Sequence, residues 1–343
     1  MISCCGRKDK TMDGKRTIAI MTSGGDAPGM NAAIRAITKT AIYKGYKVMG
    51  INNGFKGLIE ADMKEFGLTD VEDILHLGGT VLGTARLPEF KLPEVQDKAV
   101  NILKTYGITD LVVIGGDGSF TGAQKLSHKC EEPQHNYKCN VVCLPGTIDN
   151  DLACTDQTIG FDTALNTVVE AVDKIRDTMS SHGRCCVVEI MGNRCGDLSL
   201  FSSINTGAES LILAERPESF DVDKICEAVS DGVKKGRKCH IVILSELLTD
   251  AGELSKTIEK RTGVSTRPSI LGYIQRGGAP TAGDRMLATK MGVYAVNLLE
   301  KGYSNQIVSI RNNKIVNDDI DVALAMPRVF DEELWAMNDI LSI

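Results

Sequence analysis

The chain has 343 residues, 43% hydrophobic and 24% charged, ordinary values for a globular protein with length enough for about two domains. Its 39 basic and 45 acidic side chains leave a net charge of −6, which disfavours a nucleic-acid or membrane-surface binder, since either needs a basic face. No apolar run nears the ~20 residues of a membrane span, and residues 1–16 lack the apolar stretch of a secretory signal, so a cytoplasmic protein is expected.

In chain order, Thr17–Met21 reads as a strand, followed by Ser23-Gly-Gly-Asp-Ala-Pro-Gly29 and a helix from Met30 to Tyr43. Lys47–Ile51 is a second strand. Leu111–Ile114 is a third, followed by Gly115-Gly-Asp-Gly-Ser119 and a helix; Asn140–Leu144 is a fourth, followed by Pro145-Gly-Thr-Ile-Asp-Asn-Asp151. The segment Lys129–Lys138 between them reads as a loop insertion. Leu165, Val168, Val169, Val172, Ile175 and Met179 recur at three- and four-residue spacing, the mark of a helix, with Asp162 as its cap. Cys185–Ile190 and His240–Ser245 complete the strands, the latter ending at Glu246. Strands that alternate with helices imply βαβ units and a mostly parallel sheet.

The 11 cysteines are odd in number, include the adjacent pairs Cys4–Cys5 and Cys185–Cys186, and form no CxxC. A reducing compartment fits them better than a disulfide framework. Cys130, His135 and Cys139, with Cys143 in a strand behind them, are the right residue types for zinc. A polar surface loop with incidental thiols is the favoured reading.

Most Gly- or Asp-rich motifs directly follow a strand. In open α/β sheets ligands bind beyond the carboxyl ends of strands, so these loops are expected to share one cleft. Gly24, Gly25 and Gly29 bracket a strand-to-helix turn, which lets backbone N–H groups approach a phosphate. As a bare pattern it also suits an ordinary tight turn. Asp117 among glycines suits Mg²⁺, which takes one or two carboxylates plus phosphate oxygens; a helix cap is the plainer alternative. Asp149 and Asp151 place two carboxylates two residues apart, fit for a base and its support, or for an Asx-type turn. Arg184, Arg267 and Arg276 offer guanidinium forks for a phosphate, though a lone Arg is usually a solvated surface residue.

Taken in order, Ser23–Arg35, Gly83-Thr-Ala-Arg86, Gly115–Ser119, Pro145–Asp151, Ser181-His-Gly-Arg184, Val187-Val-Glu-Ile-Met-Gly192 and Gly272-Tyr-Ile-Gln-Arg-Gly-Gly-Ala-Pro280 closely resemble the 6-phosphofructokinase family. The resemblance runs from about Thr17 to the C-terminus at bacterial length. It implies two Rossmann-like α/β domains of three layers, with mostly parallel sheets and the active site in the cleft between them. The boundaries expected are 1–159 plus 276–328 for the ATP-binding domain and 160–275 plus 329–343 for the sugar-phosphate domain.

The resemblance also implies roles. Asp149 would accept the proton of the fructose 6-phosphate 1-hydroxyl, with Thr147 and Asp151 assisting. Asp117 would hold Mg²⁺ on the nucleotide phosphates. Gly25, Arg86, Leu87, Gly116, Asp117, Gly118 and Ser119 would line the ATP site. Thr147, Ile148, Asp149, Met191, Gly192, Asn193, Glu246 and Tyr273 would meet the sugar phosphate. Arg184, Arg267 and Arg276 would hold its 6-phosphate, the first two from a neighbouring subunit of a homotetramer. Arg35, Lys39, Arg176, Glu209, Lys235 and Arg237 stand where the family binds ADP or phosphoenolpyruvate as effectors, although Asp62 replaces a usual Arg.

Family members that use pyrophosphate carry Asp at the place of Gly118 and Lys at that of Gly146, so ATP is the expected donor. Two departures remain: Asn193 stands for a usual Arg, and Tyr273 for a usual His. They keep open a catalytically weak regulatory subunit; pyrophosphate dependence is the other alternative. The presence of Asp117, Thr147, Asp149 and Asp151 argues for chemistry.

Overall fold

The computed structural model describes residues 16–342; Cys4 and Cys5 lie outside them. The chain opens with β1 (Thr17–Thr22), α1 (Met30–Tyr43), β2 (Lys47–Ile51), α2 (Gly54–Glu60) and β3 (Met63–Glu65). It continues with α3 (Pro93–Thr105), β4 (Asp110–Gly115), α4 (Asp117–Glu131) and β5 (Asn140–Pro145). The middle holds α5 (Phe161–His182), β6 (Arg184–Ile190), α6 (Asp197–Thr206), β7 (Ser210–Ile212), α7 (Val222–Lys234), β8 (Cys239–Ser245), α8 (Ala251–Thr262) and β9 (Thr266–Ile270). A 3₁₀ turn at Gly272–Gln275 leads to α9 (Ala282–Glu300), β10 (Gln306–Arg311), β11 (Lys314–Asp319), α10 (Ile320–Leu324) and α11 (Glu332–Leu341).

Two sheets result. One runs β11-β10-β5-β4-β1-β2-β3 and the other β7-β8-β6-β9. The inner pairs are parallel; β2–β3 and β10–β11 are antiparallel edges. β1, β4, β5 and β8 are buried along their whole length, because helices cover both faces of a parallel sheet. Their apolar runs are therefore continuous rather than alternating. Of the long helices, α1 packs on α9, and α5 touches both α9 and α6.

Two local expectations are corrected. Asp162 does not cap α5. Gly160 does, at φ 107°, a conformation open to glycine, while Asp162 lies within the first turn and accepts a hydrogen bond from Thr281 Oγ1. Lys129–Glu131 are not loop but the last turn of α4, because Lys129 anchors there by pairing with Asp97 at 3.0 Å and Glu132 at 2.9 Å.

The loop after β3 hangs on one buried side chain. Asn31 on α1 donates from Nδ2 to the carbonyls of Leu77 and Gly78 at 3.1 and 3.2 Å, and its Oδ1 accepts from Val81 N at 2.8 Å. Asn31→Ala strands these backbone groups, so a loss of about 2 kcal/mol is expected. Urea unfolding reads it as a lower midpoint at constant m. An unchanged midpoint means that water replaces the amide fully.

Candidate active site

Three adjacent strands, β5, β4 and β1, deliver their carboxyl-end loops to one edge of the larger sheet. Ser23 N bonds Ile114 O at 3.0 Å and Gly146 N bonds Gly115 O at 2.9 Å, so the three loops start in register. Gly115 admits no side chain: a Cβ would lie 2.4 Å from Ser23 O by construction, and close to Ser119. α4 begins at Asp117 directly after this crossing, with Gly116 as its N-cap and no side-chain cap. Ser119 N already bonds Gly116 O at 3.0 Å, which leaves the N–H groups of Asp117 and Gly118 to an anion that the helix dipole favours. Asp117 is therefore not the helix cap; its exposed carboxylate stands at the first helical position.

The smaller sheet brings β6, β8 and β9 to the same cleft. Glu246 follows β8, and its Oε1 accepts the N–H groups of Gly192 at 3.1 Å and Asn193 at 2.7 Å. Asn193 takes φ 55°, a conformation that Asn tolerates better than most residues, so the residue expected to weaken the site has a backbone duty here. Met191 N donates to Oε1 of the fully buried Gln275 at 3.2 Å, which ties the β6 loop to the 3₁₀ turn. A cavity of about 190 Å³ opens between Met191, Glu246, Ile270, Gly272 and Tyr273. A larger one, about 310 Å³, lies at the amino end of β5 around Cys139 and Asn140, away from every strand-end loop named above.

Electrostatics joins the two halves. Burial first, then repulsion from Asp151 and Glu246 against the opposing Arg276 guanidinium, push the Asp149 carboxyl up to about 6. Glu246, after β8 of the smaller sheet, is thus near enough to Asp149 of the larger one for its charge to act there. Burial also raises Asp151, with Asp117 adding repulsion. Arg276 lies against the β1 loop: a Cβ on Gly25 would fall 2.5 Å from its Nη1. Gly25, Asp117, Asp149, Asp151, Arg276 and Glu246 therefore converge. Four carboxylates against one guanidinium leave an excess of negative charge, and Asp151 Oδ1 is buried without a partner. Such a donor set suits Mg²⁺.

Other expected residues lie outside this convergence in one protomer. Arg267 is exposed on β9 and pairs with Glu259 at 3.1 Å; Arg184 opens β6 at the amino end of that strand. Arg86 is exposed and Leu87 half-buried in the loop before α3. Thr147 and Ile148 belong to the convergence instead: the half-buried Thr147 accepts from Asp149 N at Oγ1 at 3.2 Å, and Ile148 between them is buried. Tyr273 is 82% exposed at the rim of the smaller cavity.

Among the expected effector residues, Arg176 meets Glu209 at 3.4 Å and Arg237 meets it at 3.8 Å, while Glu209 Oε2 also accepts from Ile241 N. Arg35 and Lys39 share one face of α1, and Lys235 ends α7. Asp62 is exposed and accepts from Asn52 Nδ2 at 2.8 Å.

The favoured surface-loop reading of Cys130 and Cys139 is corrected: both thiols are buried, because Cys130 lies in the last turn of α4 and Cys139 leads into β5 against the core, and burial lifts the Cys130 thiol to about 12. His135 bonds Asp97 at 2.6 Å. The group of possible ligands here is Asp97, Glu132 and His135, but the Lys129 ammonium already bridges its two carboxylates. Among the described residues no helix is long and apolar enough to cross a membrane.

Several residues of the site were given no role by the sequence: Asn150 and Gln275 lie within quoted motifs, whereas Asp197 and Arg328 lie outside them. Asn150, Gln275, Asp197 and Arg328 are polar residues whose partners lie up to 131 positions away.

Comparison with known proteins follows the same lines. A family model described as Phosphofructokinase matches residues 17–299. An ATP-dependent 6-phosphofructokinase of Clostridium botulinum is 52% identical over 95% of this chain and 99% of its own length. A phosphofructokinase structure from Saccharomyces cerevisiae superposes with a TM-score of 0.83 at 36% identity, covering 90% of this chain and 45% of that one. A Pichia pastoris phosphofructokinase in the T-state gives 0.86 at 38%, covering 97% and 37%. This chain thus spans less than half the length of either yeast chain.

Proposed function

The chain belongs to the phosphofructokinase family, and we propose that it transfers the terminal phosphoryl group of ATP to the 1-hydroxyl of fructose 6-phosphate. The observation that carries this reading is the convergence of Asp149, raised to about 6, with Asp117, Asp151, Arg276 and the glycine loops at one cleft. A carboxylate tuned toward neutrality, within reach of a cation, is the base that a sugar hydroxyl needs.

Asp149 accepts the hydroxyl proton as the oxygen attacks. Arg276, beside Gly25 and Asp149, offsets charge that develops on the transferring group, and the uncapped start of α4 with the Gly25 loop holds donor phosphates. Asp117 and Asp151 would hold Mg²⁺, which supplies neutralisation of the nucleotide phosphates. Glu246 shapes the sugar side by fixing the N–H groups of Gly192 and Asn193.

The donor follows from two glycines. A Cβ on Gly118 meets nothing within 4 Å, leaving space for a nucleotide. Gly146 is packed: a Cβ there would stand 2.9 Å from Ile114 and 3.1 Å from Met30, so a Lys does not fit without displacement. The smaller cleft side takes the sugar phosphate with Arg184 and Arg267 supplied by a neighbouring subunit of a homotetramer. The cluster around Glu209 then serves an allosteric anion such as ADP or phosphoenolpyruvate, in a cytoplasmic glycolytic enzyme. The division into 1–159 with 276–328 and 160–275 with 329–343 has support from the sheets, which hold β1–β5 with β10–β11 and β6–β9 respectively.

A coupled assay with fructose 6-phosphate and either ATP or pyrophosphate should show turnover with ATP only. Pyrophosphate turnover at comparable rate defeats the donor assignment. Arg184→Ala and Asp149→Asn, each poor alone, should partly restore activity when co-assembled; failure to complement places Arg184 outside a neighbour's site.

A further inference from the structure

Resting on that reading of the site, we propose that Asp197 and Arg328 are positioning residues for phosphoryl transfer, acting through Asn150 to hold Asp149 and Asp151 toward the cleft. Among the described residues no hydrogen bond from another residue holds the Asp149 or Asp151 carboxylate, and Asp151 Oδ1 is buried without a partner. Their direction therefore comes from the backbone between them. That backbone turns at Asn150, which takes φ 54°, a left-handed conformation uncommon outside glycine but tolerated by Asn.

Both ends of the Asn150 carboxamide are pinned. Its Oδ1 accepts from Thr158 N at 3.0 Å, and its Nδ2 donates to Asp197 Oδ2 at 3.0 Å. The other oxygen of Asp197 pairs with Arg328 Nη2. Arg328 extends its second arm to Glu215 Oε1 at 2.8 Å, and that oxygen also accepts from Gly196 N at 2.7 Å. A continuous path thus runs from the segment between α10 and α11, through the start of α6, to the loop that carries the base.

The path is half-buried, so it is less screened than a surface pair. Arg328 pairs with Asp197 and Glu215 and offsets the charge of Asp197 near Asp151. Without it, Asp197 would turn from an acceptor for Asn150 into an unpaired neighbour of the acidic loop. Rotation at Asn150 would swing both flanking carboxylates, and misplacement of about 1 Å at a reacting group costs on the order of 100-fold in rate.

The test uses the full-length protein and reads kcat and KM separately. Asn150→Gly keeps the left-handed turn sterically free and removes only the anchor. It should lower kcat about 10- to 100-fold, with both KM values within about threefold. Asp197→Ala should do the same, and Asp197→Asn, which still offers an acceptor oxygen to Asn150, should recover much of the loss. In the double variant Asn150→Gly/Asp197→Ala, the second change should cost less than about twofold, because its target is already gone. Wild-type kcat in Asn150→Gly, or losses that multiply in the double variant, overturns the proposal. If Asp197→Ala fails to fold, Asn150→Gly alone decides it. Absence of any fructose 6-phosphate turnover with ATP in the wild-type protein would instead overturn the reading of the site.

Discussion

Asp149→Asn is expected to lower kcat by about 10²–10⁴-fold with the fold intact. The carboxamide keeps the shape of the carboxylate but accepts no proton near neutral pH. In the native protein burial, then Asp151 and Glu246 against Arg276, put this carboxyl at about 6. Above that pH it is ionised and ready as a base, so kcat/KM should fall as pH drops through about 6. Stability runs the opposite way. The folded value exceeds the ordinary 3.8, so the folded protein binds this proton more tightly than the unfolded chain. That contribution is complete below about pH 3.8 and is lost as pH rises through about 6. At neutral pH the buried charge is a cost, and Asp149→Asn should melt at the same temperature or higher. Steady-state kinetics and thermal unfolding on one preparation check both; near-normal turnover removes Asp149 from the role of base.

Gly118→Asp is expected to cut kcat/KM for ATP by on the order of 100-fold or more. A Cβ on Gly118 meets nothing within 4 Å and the residue is exposed, so the melting temperature should hold. The new carboxylate would lie beside Asp117 at the start of α4, where donor phosphates are placed. One like-charge contact at about 5 Å costs roughly 3 kcal/mol at an effective dielectric of 20, before screening by salt. It also fills room that a nucleotide needs. The measurement is ATP titration at saturating fructose 6-phosphate beside a melting curve. Unchanged ATP kinetics would remove the 115–119 loop from the donor site.

The central parallel strands were legible because each is buried on both faces. Ile18, Val112, Val142 and Val187 lie in unbroken apolar runs that need no partner to be recognised. The peripheral strands were not. β9 carries Arg267 and Pro268, β3 has three residues, and β11 is a half-exposed edge with Lys314, Asp318 and Asp319. They are strands because a neighbour offers a ladder, and no local window contains that neighbour. The cap of α5 fell the same way: Asp162 is a good capping residue by type, but Thr281, brought from 119 positions away, takes its carboxylate.

The sequence by itself determined which chemistry the site holds. Glycines at strand ends, paired carboxylates after Pro145-Gly146 and guanidinium groups near glycines are local requirements of phosphate binding and proton abstraction, so they are written as short motifs. Only the tertiary structure decided which of these groups meet. It set Arg276 against Gly25 rather than at a distance from the donor loop, aimed Glu246 at the backbone of Gly192 and Asn193, and tied Asn150 to Asp197 and Arg328. It also raised the Asp149 carboxyl, since burial and the field of Asp151, Glu246 and Arg276 exist only once the two sheets have closed on one cleft. Residue type is local, whereas distance, burial and charge environment belong to segments packed together from far apart in the chain.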